Sequence, residues 1–138
     1  MLKAAIIALG LTTAPSSFTI DYGGNVLERL QQMHYLKMSG QEFRIEGVCI
    51  SACTMFLGLP KVCVAEDTIF GFHSAASFDG EKWEKSEWGN AIALDVYPLR
   101  IREFVTKNNF LKSLDLSFVN AETMWALGIK KCDEVKVQ

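Results

Sequence analysis

The sequence predicts an α/β domain with a mostly parallel sheet flanked by helices. Two observations predict it. The chain has 138 residues, 49% of them apolar and 22% charged, which suits one domain with a real core. Along it, short segments of alternating hydrophobicity take turns with longer segments of helical period, the pattern of strand–helix–strand units.

The first residues, MLKAAIIALGLTTA, place one early cation (Lys3) before the apolar stretch 4–11 and then small and polar residues. That is the order of a secretory signal, with Ala14 and Ser16 satisfying the small-x-small rule and cleavage before Ser17. The same stretch can be read as the first core strand. The expected organisation is therefore a signal at 1–16 and a single domain at 17–138.

Residues 18–21 form a short strand candidate stopped by Gly23-Gly24-Asn25. A helix is expected over 25–39, with Val26, Leu30, Met33 and Leu36 on one face, Asn25 as N-cap and Gly40 as stop. Residues 42–48 alternate as a strand. Ser51 opens a mostly apolar helix that ends near Gly58-Leu59-Pro60. Residues 62–65 and 68–72 are strands around the Glu66-Asp67 turn. The polar stretch 78–90, with Trp83 and Trp88, is an excursion or lid. Residues 91–107 are helical with a break at Pro98, and Arg100, Arg102, Glu103 and Lys107 make its solvated face. A last helix, 121–127, is capped by Asn120 and ended by Gly128, and 129–137 close the chain as a strand.

The chemistry concentrates at Ser51, in Gly47-Val48-Cys49-Ile50-Ser51-Ala52-Cys53-Thr54. A Ser where a strand turns into a helix either caps the helix or stands on a nucleophile elbow, with free amides at the helix start ready to stabilise an oxyanion. His73 follows a buried strand, where parallel α/β folds carry their functional ends, and imidazole is the usual base near neutral pH. His34 falls on the polar side of the first helix. Gly23-Gly24 is a tight turn, or a place where backbone approaches a ligand and completes an oxyanion hole with Ala52. Ser51 and His73 are expected to face one cleft.

Taken in order, Ile20-Asp21-Tyr22-Gly23-Gly24-Asn25-Val26, Ser51-Ala52, Gly71-Phe72-His73 and FVNAETMWALGI at 118–129 resemble the ClpP/crotonase superfamily on its serine-peptidase side. The cysteine-flanked Ser51 and Tyr97-Pro98 resemble its small exported bacterial members. The resemblance implies a ββα-spiral fold and Ser–His hydrolysis of a peptide or protein substrate. Ser51 would be nucleophile and His73 general base, with oxyanion donors drawn from Gly23, Gly24 and Ala52. Asp115 is the nearest match for the third triad member, one residue out of register. Relatives of this kind are usually homo-oligomers. The alternative is the same fold used for binding or scaffolding without turnover, and an acyl-CoA enzyme is more distant.

The four cysteines, Cys49, Cys53, Cys63 and Cys132, form two disulfides in an oxidising compartment, periplasmic or secreted, if the signal holds. Three pairings are open. Free buried thiols of a cytoplasmic protein are the other reading. Their spacing is not a standard zinc pattern, and no metal or cofactor is expected. A formal charge of −2, with 14 basic against 16 acidic residues, argues against nucleic acid as partner. No apolar run reaches the roughly 18–20 residues of a spanning helix.

Overall fold

The computed structural model describes residues 19–134. The expected signal at 1–16 and the end of the final strand lie outside them. The chain is a mixed α/β domain with mostly parallel sheets. Strand β1 (Thr19–Asp21) leads to helix α1 (Val26–Ser39), whose Asn25 cap accepts hydrogen bonds from the Leu27 and Glu28 amides and which Gly40 ends. Met33 is buried and Val26, Leu30 and Leu36 pack beside the core, as the 3.6-residue spacing requires.

The stretch expected to be one strand at 42–48 is two, β2 (Phe43–Ile45) and β3 (Gly47–Ile50), and they belong to different sheets. Gly47 makes the switch. It has φ 107° and pairs with Thr19, where an added Cβ would lie 2.0 Å from the Thr19 carbonyl oxygen. Only glycine fits so close an approach. A tight 3-10 helix, Ser51–Gly58, follows. Next come β4 (Val62–Val64) and β5 (Ile69–Phe72). One sheet has the order β1-β3-β5 and the other pairs β2 with β4, all in parallel.

Beyond β5 the polar stretch is a hairpin, β6 (Ala76–Phe78) and β7 (Trp83–Lys85), exposed throughout. Helix α2 (Glu87–Val96) and helix α3 (Leu99–Lys107) are separate, broken at Pro98 as expected. Arg102 departs from the solvated face assigned to it: it is half-buried and donates to the Asp95 and Tyr97 carbonyls across the break. Strand β8 (Ser117–Asn120) joins the first sheet antiparallel to β5. Helix α4 (Ala121–Ala126) is capped by Asn120, and β9 (Lys130–Lys131) joins β4 in parallel.

Between these elements lies one main core, in which Leu57, Val64, Phe70, Ile101 and Met124 are fully buried. Two disulfides staple it: Cys49–Cys53 and Cys63–Cys132, the latter fixing the end of the described chain to β4. They fit an oxidising compartment. No helix among the described residues is long and apolar enough to cross a membrane.

Candidate active site

Strand β3 delivers Ser51 to the start of the 3-10 helix with φ 59°. This left-handed conformation costs a non-glycine residue roughly 1–2 kcal/mol and is typical of residues held for function. Ser51 is not the cap of its helix. The cap is Ile50, and no side chain bonds the first amides. The turn is braced on three sides. Cys49–Cys53 closes a covalent ring around it. Thr54 Oγ1 donates to the Ser51 carbonyl at 2.7 Å and lies 2.6 Å from the Tyr97 hydroxyl. Gly23 lies so close that a Cβ there would meet Ser51 Cβ at 2.7 Å.

His73, directly after β5, lines the same cavity as Ser51. The cavity encloses about 480 Å³, and Ala52 and Met55 of the 3-10 helix share it with Gly24, Trp83 and Trp88. No hydrogen bond joins Ser51 to His73. The His73 Nδ1 lies 2.6 Å from the Ser74 carbonyl oxygen. A carbonyl only accepts, so this bond requires the proton on Nδ1 and leaves Nε2 as the basic nitrogen.

Asn90 of α2 holds the segment that carries His73. Its Oδ1 accepts from the Ala75 amide at 2.6 Å. Its Nδ2 donates to Ser74 Oγ at 2.9 Å and to the Leu111 carbonyl at 3.3 Å. The Ser74 amide donates to the Ser113 carbonyl at 2.7 Å. Asn90 and Ser74 are buried, and nothing in the local sequence marks Asn90, since its partners are distant in the chain. Tyr97, also in the cavity wall, has its phenol pushed up to about 12 by burial.

The turn 21–25 supplies Gly24 and Asn25 to the wall beside Ser51. The Gly23 amide donates to Asp21 Oδ1 at 2.9 Å, so it is already committed. Gly24 lines the cavity, and its amide has no acceptor among the described residues. Ala52, second in its helix, has no intrahelical acceptor for its amide. Of the three expected oxyanion donors, the geometry leaves Gly24 and Ala52 open.

Asp115 is exposed, does not line the cavity, and makes no hydrogen bond or ion pair with His73; its amide donates to Ser113 Oγ. The backbone carbonyl of Ser74 occupies the place at Nδ1 that a triad carboxylate would take. Helix α1 holds His34 exposed and away from the cavity. Among the described residues no group of three or more His, Cys, Asp or Glu is placed to hold a metal. No family model, no curated protein and no solved structure matches the chain.

Proposed function

We propose that the chain is an exported serine hydrolase of peptidase type, with Ser51 as nucleophile and His73 as general base, on a ClpP-like spiral. The observation that carries the reading is Ser51 itself: a non-glycine residue at φ 59°, capping nothing, in a cavity that also holds a half-buried histidine. The chain's alternation between two parallel sheets through β1–β5 supports the spiral, and the two disulfides support export.

In this mechanism His73 Nε2 takes the Ser51 proton as Oγ attacks a substrate carbonyl, and returns it to the leaving group. The negative oxygen formed on the carbonyl is met by the Gly24 and Ala52 amides. The Ser74 carbonyl holds the ring in the tautomer the step needs. Ser51 and His73 close their gap by a rotamer change or one water, as sites without substrate often require. Apart from His73, the cavity is lined by no Asp, Glu, Lys or Arg. That suits an uncharged, apolar side chain on the acyl side of the scissile bond.

Labelling by a fluorophosphonate tests the reading. Wild-type protein should label, and Ser51→Ala and His73→Ala should not, at nearly unchanged melting temperature. The missing Ser51–His73 hydrogen bond favours the alternative, a binding or scaffolding protein. Wild-type protein that neither labels nor cleaves a broad panel of peptides and esters would overturn the hydrolase reading in favour of that alternative.

A further inference from the structure

Arg29, on α1, reaches the turn that carries Gly24. Its Nη1 donates to Asp21 Oδ2 at 2.7 Å, and its Nη2 donates to Asp21 Oδ1 at 2.5 Å and to the Gly23 carbonyl at 3.0 Å. The guanidinium also lies over the Phe56 ring, 5.2 Å from its centroid. The arginine side chain is 14% exposed and the aspartate 29%. Both polar groups of Gly23 are therefore held, its N–H by Asp21 and its C=O by Arg29.

We propose that Arg29 is a positioning residue that aims the Gly24 amide at the oxygen formed during attack by Ser51; the proposal rests on the hydrolase reading above. The peptide between Gly23 and Gly24 is trans, like every peptide of the described chain. In a trans peptide the C=O and the N–H point in opposite directions. Fixing the Gly23 carbonyl on Arg29 therefore turns the Gly24 N–H away from Arg29, and Gly24 is the residue of this pair that lines the cavity with Ser51 and Ala52. Two flanking glycines, Gly23 at φ 101° and Gly24 at φ 154°, leave this peptide free to rotate. An unbraced turn would spread the amide over several orientations, and an oxyanion donor works only when it is preorganised. The guanidinium fork suits the task because it grips a carboxylate through two nitrogens and still has a donor for the carbonyl. A lysine keeps the charge and loses the fork.

The test compares wild type with Arg29→Lys, Arg29→Gln and Asp21→Asn. It reads the rate of labelling by a fluorophosphonate, kcat and KM on p-nitrophenyl butyrate, and the Gly24 amide signal by NMR. Arg29→Lys should label at least about tenfold more slowly, a fraction of the 10²–10³ measured for losing an oxyanion donor outright. KM should stay within about twofold of wild type, because the ground-state ester does not use the donor. In the free protein the Gly24 amide should shift or broaden in Arg29→Gln and Asp21→Asn while the α1 amides keep their wild-type positions. An unchanged Gly24 amide in these variants overturns the proposal, and so does wild-type labelling by Arg29→Lys and Arg29→Gln. Should wild type fail to label, the hydrolase reading falls by itself. The Gly24 amide then still decides whether Arg29 orients this peptide.

Discussion

Thr54 gives its single hydroxyl hydrogen to the carbonyl of Ser51, so the hydrogen in its 2.6 Å contact with Tyr97 comes from the tyrosine. The buried phenol is therefore a donor at the end of a chain that fixes the Ser51 turn. This bond exists only while Tyr97 is protonated.

That dependence predicts an alkaline crossover. Burial raises the Tyr97 phenol from 10.0 to about 12, so folding favours the neutral form. The resulting stabilisation is full below pH 10 and is lost as pH rises through 12. Tyr97→Phe loses the bond and leaves the Thr54 oxygen short of a donor, which costs about 1 kcal/mol at neutral pH. The variant also escapes the alkaline loss, a shift worth roughly 3 kcal/mol in the wild type. Urea unfolding should find wild type more stable at pH 7 and Tyr97→Phe more stable above about pH 11. Parallel curves would show that the phenol does not titrate with unfolding.

Asn90 makes a second pH-dependent prediction possible through substitution. Its Nδ2 gives hydrogens to Ser74 Oγ and to the Leu111 carbonyl. In Asn90→Asp, an ionised carboxylate would face that carbonyl with no hydrogen to give. Leaving such buried groups unmatched costs about 1–3 kcal/mol each. The new carboxyl should have a raised pKa in the folded state, because only its protonated form can donate. Its penalty should therefore shrink as pH falls, so the stability gap from wild type is smaller at pH 5 than at pH 7. Labelling at Ser51 should also slow, since the segment holding His73 loses its anchor. Equal stability at both pH values would show that residue 90 does not donate.

The two disulfides should separate stability from activity. Cys63–Cys132 spans 69 residues and Cys49–Cys53 spans four. By chain entropy the long loop is worth about 4 kcal/mol and the short one about 2 kcal/mol. Replacing Cys63 and Cys132 by serine should lower the denaturation midpoint more. Replacing Cys49 and Cys53 should lower the labelling rate more, because that ring encloses Ser51. Similar effects on both readouts would mean that the short ring does not hold the elbow.

Local features were legible in the sequence and long-range ones were not. Asn25 and Gly40 bracket α1 because capping is decided within a few residues. The number of disulfides follows from composition and compartment, but their pairing depends on β4 and Cys132 meeting in space. The split of the 42–48 segment was hidden because Gly47 looks like one weak position in an alternating strand, and only its contact with Thr19 explains it. Ser51 and His73 stand out by residue type at the ends of buried strands. Asn90 does not, because it works through Ser74 and Leu111, 16 and 21 residues away. Asp115 matched only by its place in the order of segments; in space it is exposed and does not line the cavity.

Ser51 offers the sharpest separation of cap from nucleophile. Its hydroxyl caps nothing and its φ is 59°. Ser51→Ala keeps the backbone strain and removes an oxygen that makes no structural bond, so stability should change by less than about 0.5 kcal/mol. A true cap would lose about 1 kcal/mol on the same change. Ser51→Gly relieves a left-handed conformation costing roughly 1–2 kcal/mol, set against a more flexible unfolded chain at about 0.4–1 kcal/mol. The glycine variant should therefore be more stable than the alanine variant, by about 0.5–1 kcal/mol. Both should fail to label with a fluorophosphonate. A nucleophile at this elbow thus predicts that the variant with the higher melting temperature is as inert as the other. If either variant labels at the wild-type rate, the reacting residue lies elsewhere. If alanine and glycine both destabilise the fold by the cost of a cap, Ser51 is structural and its conformation serves the helix start.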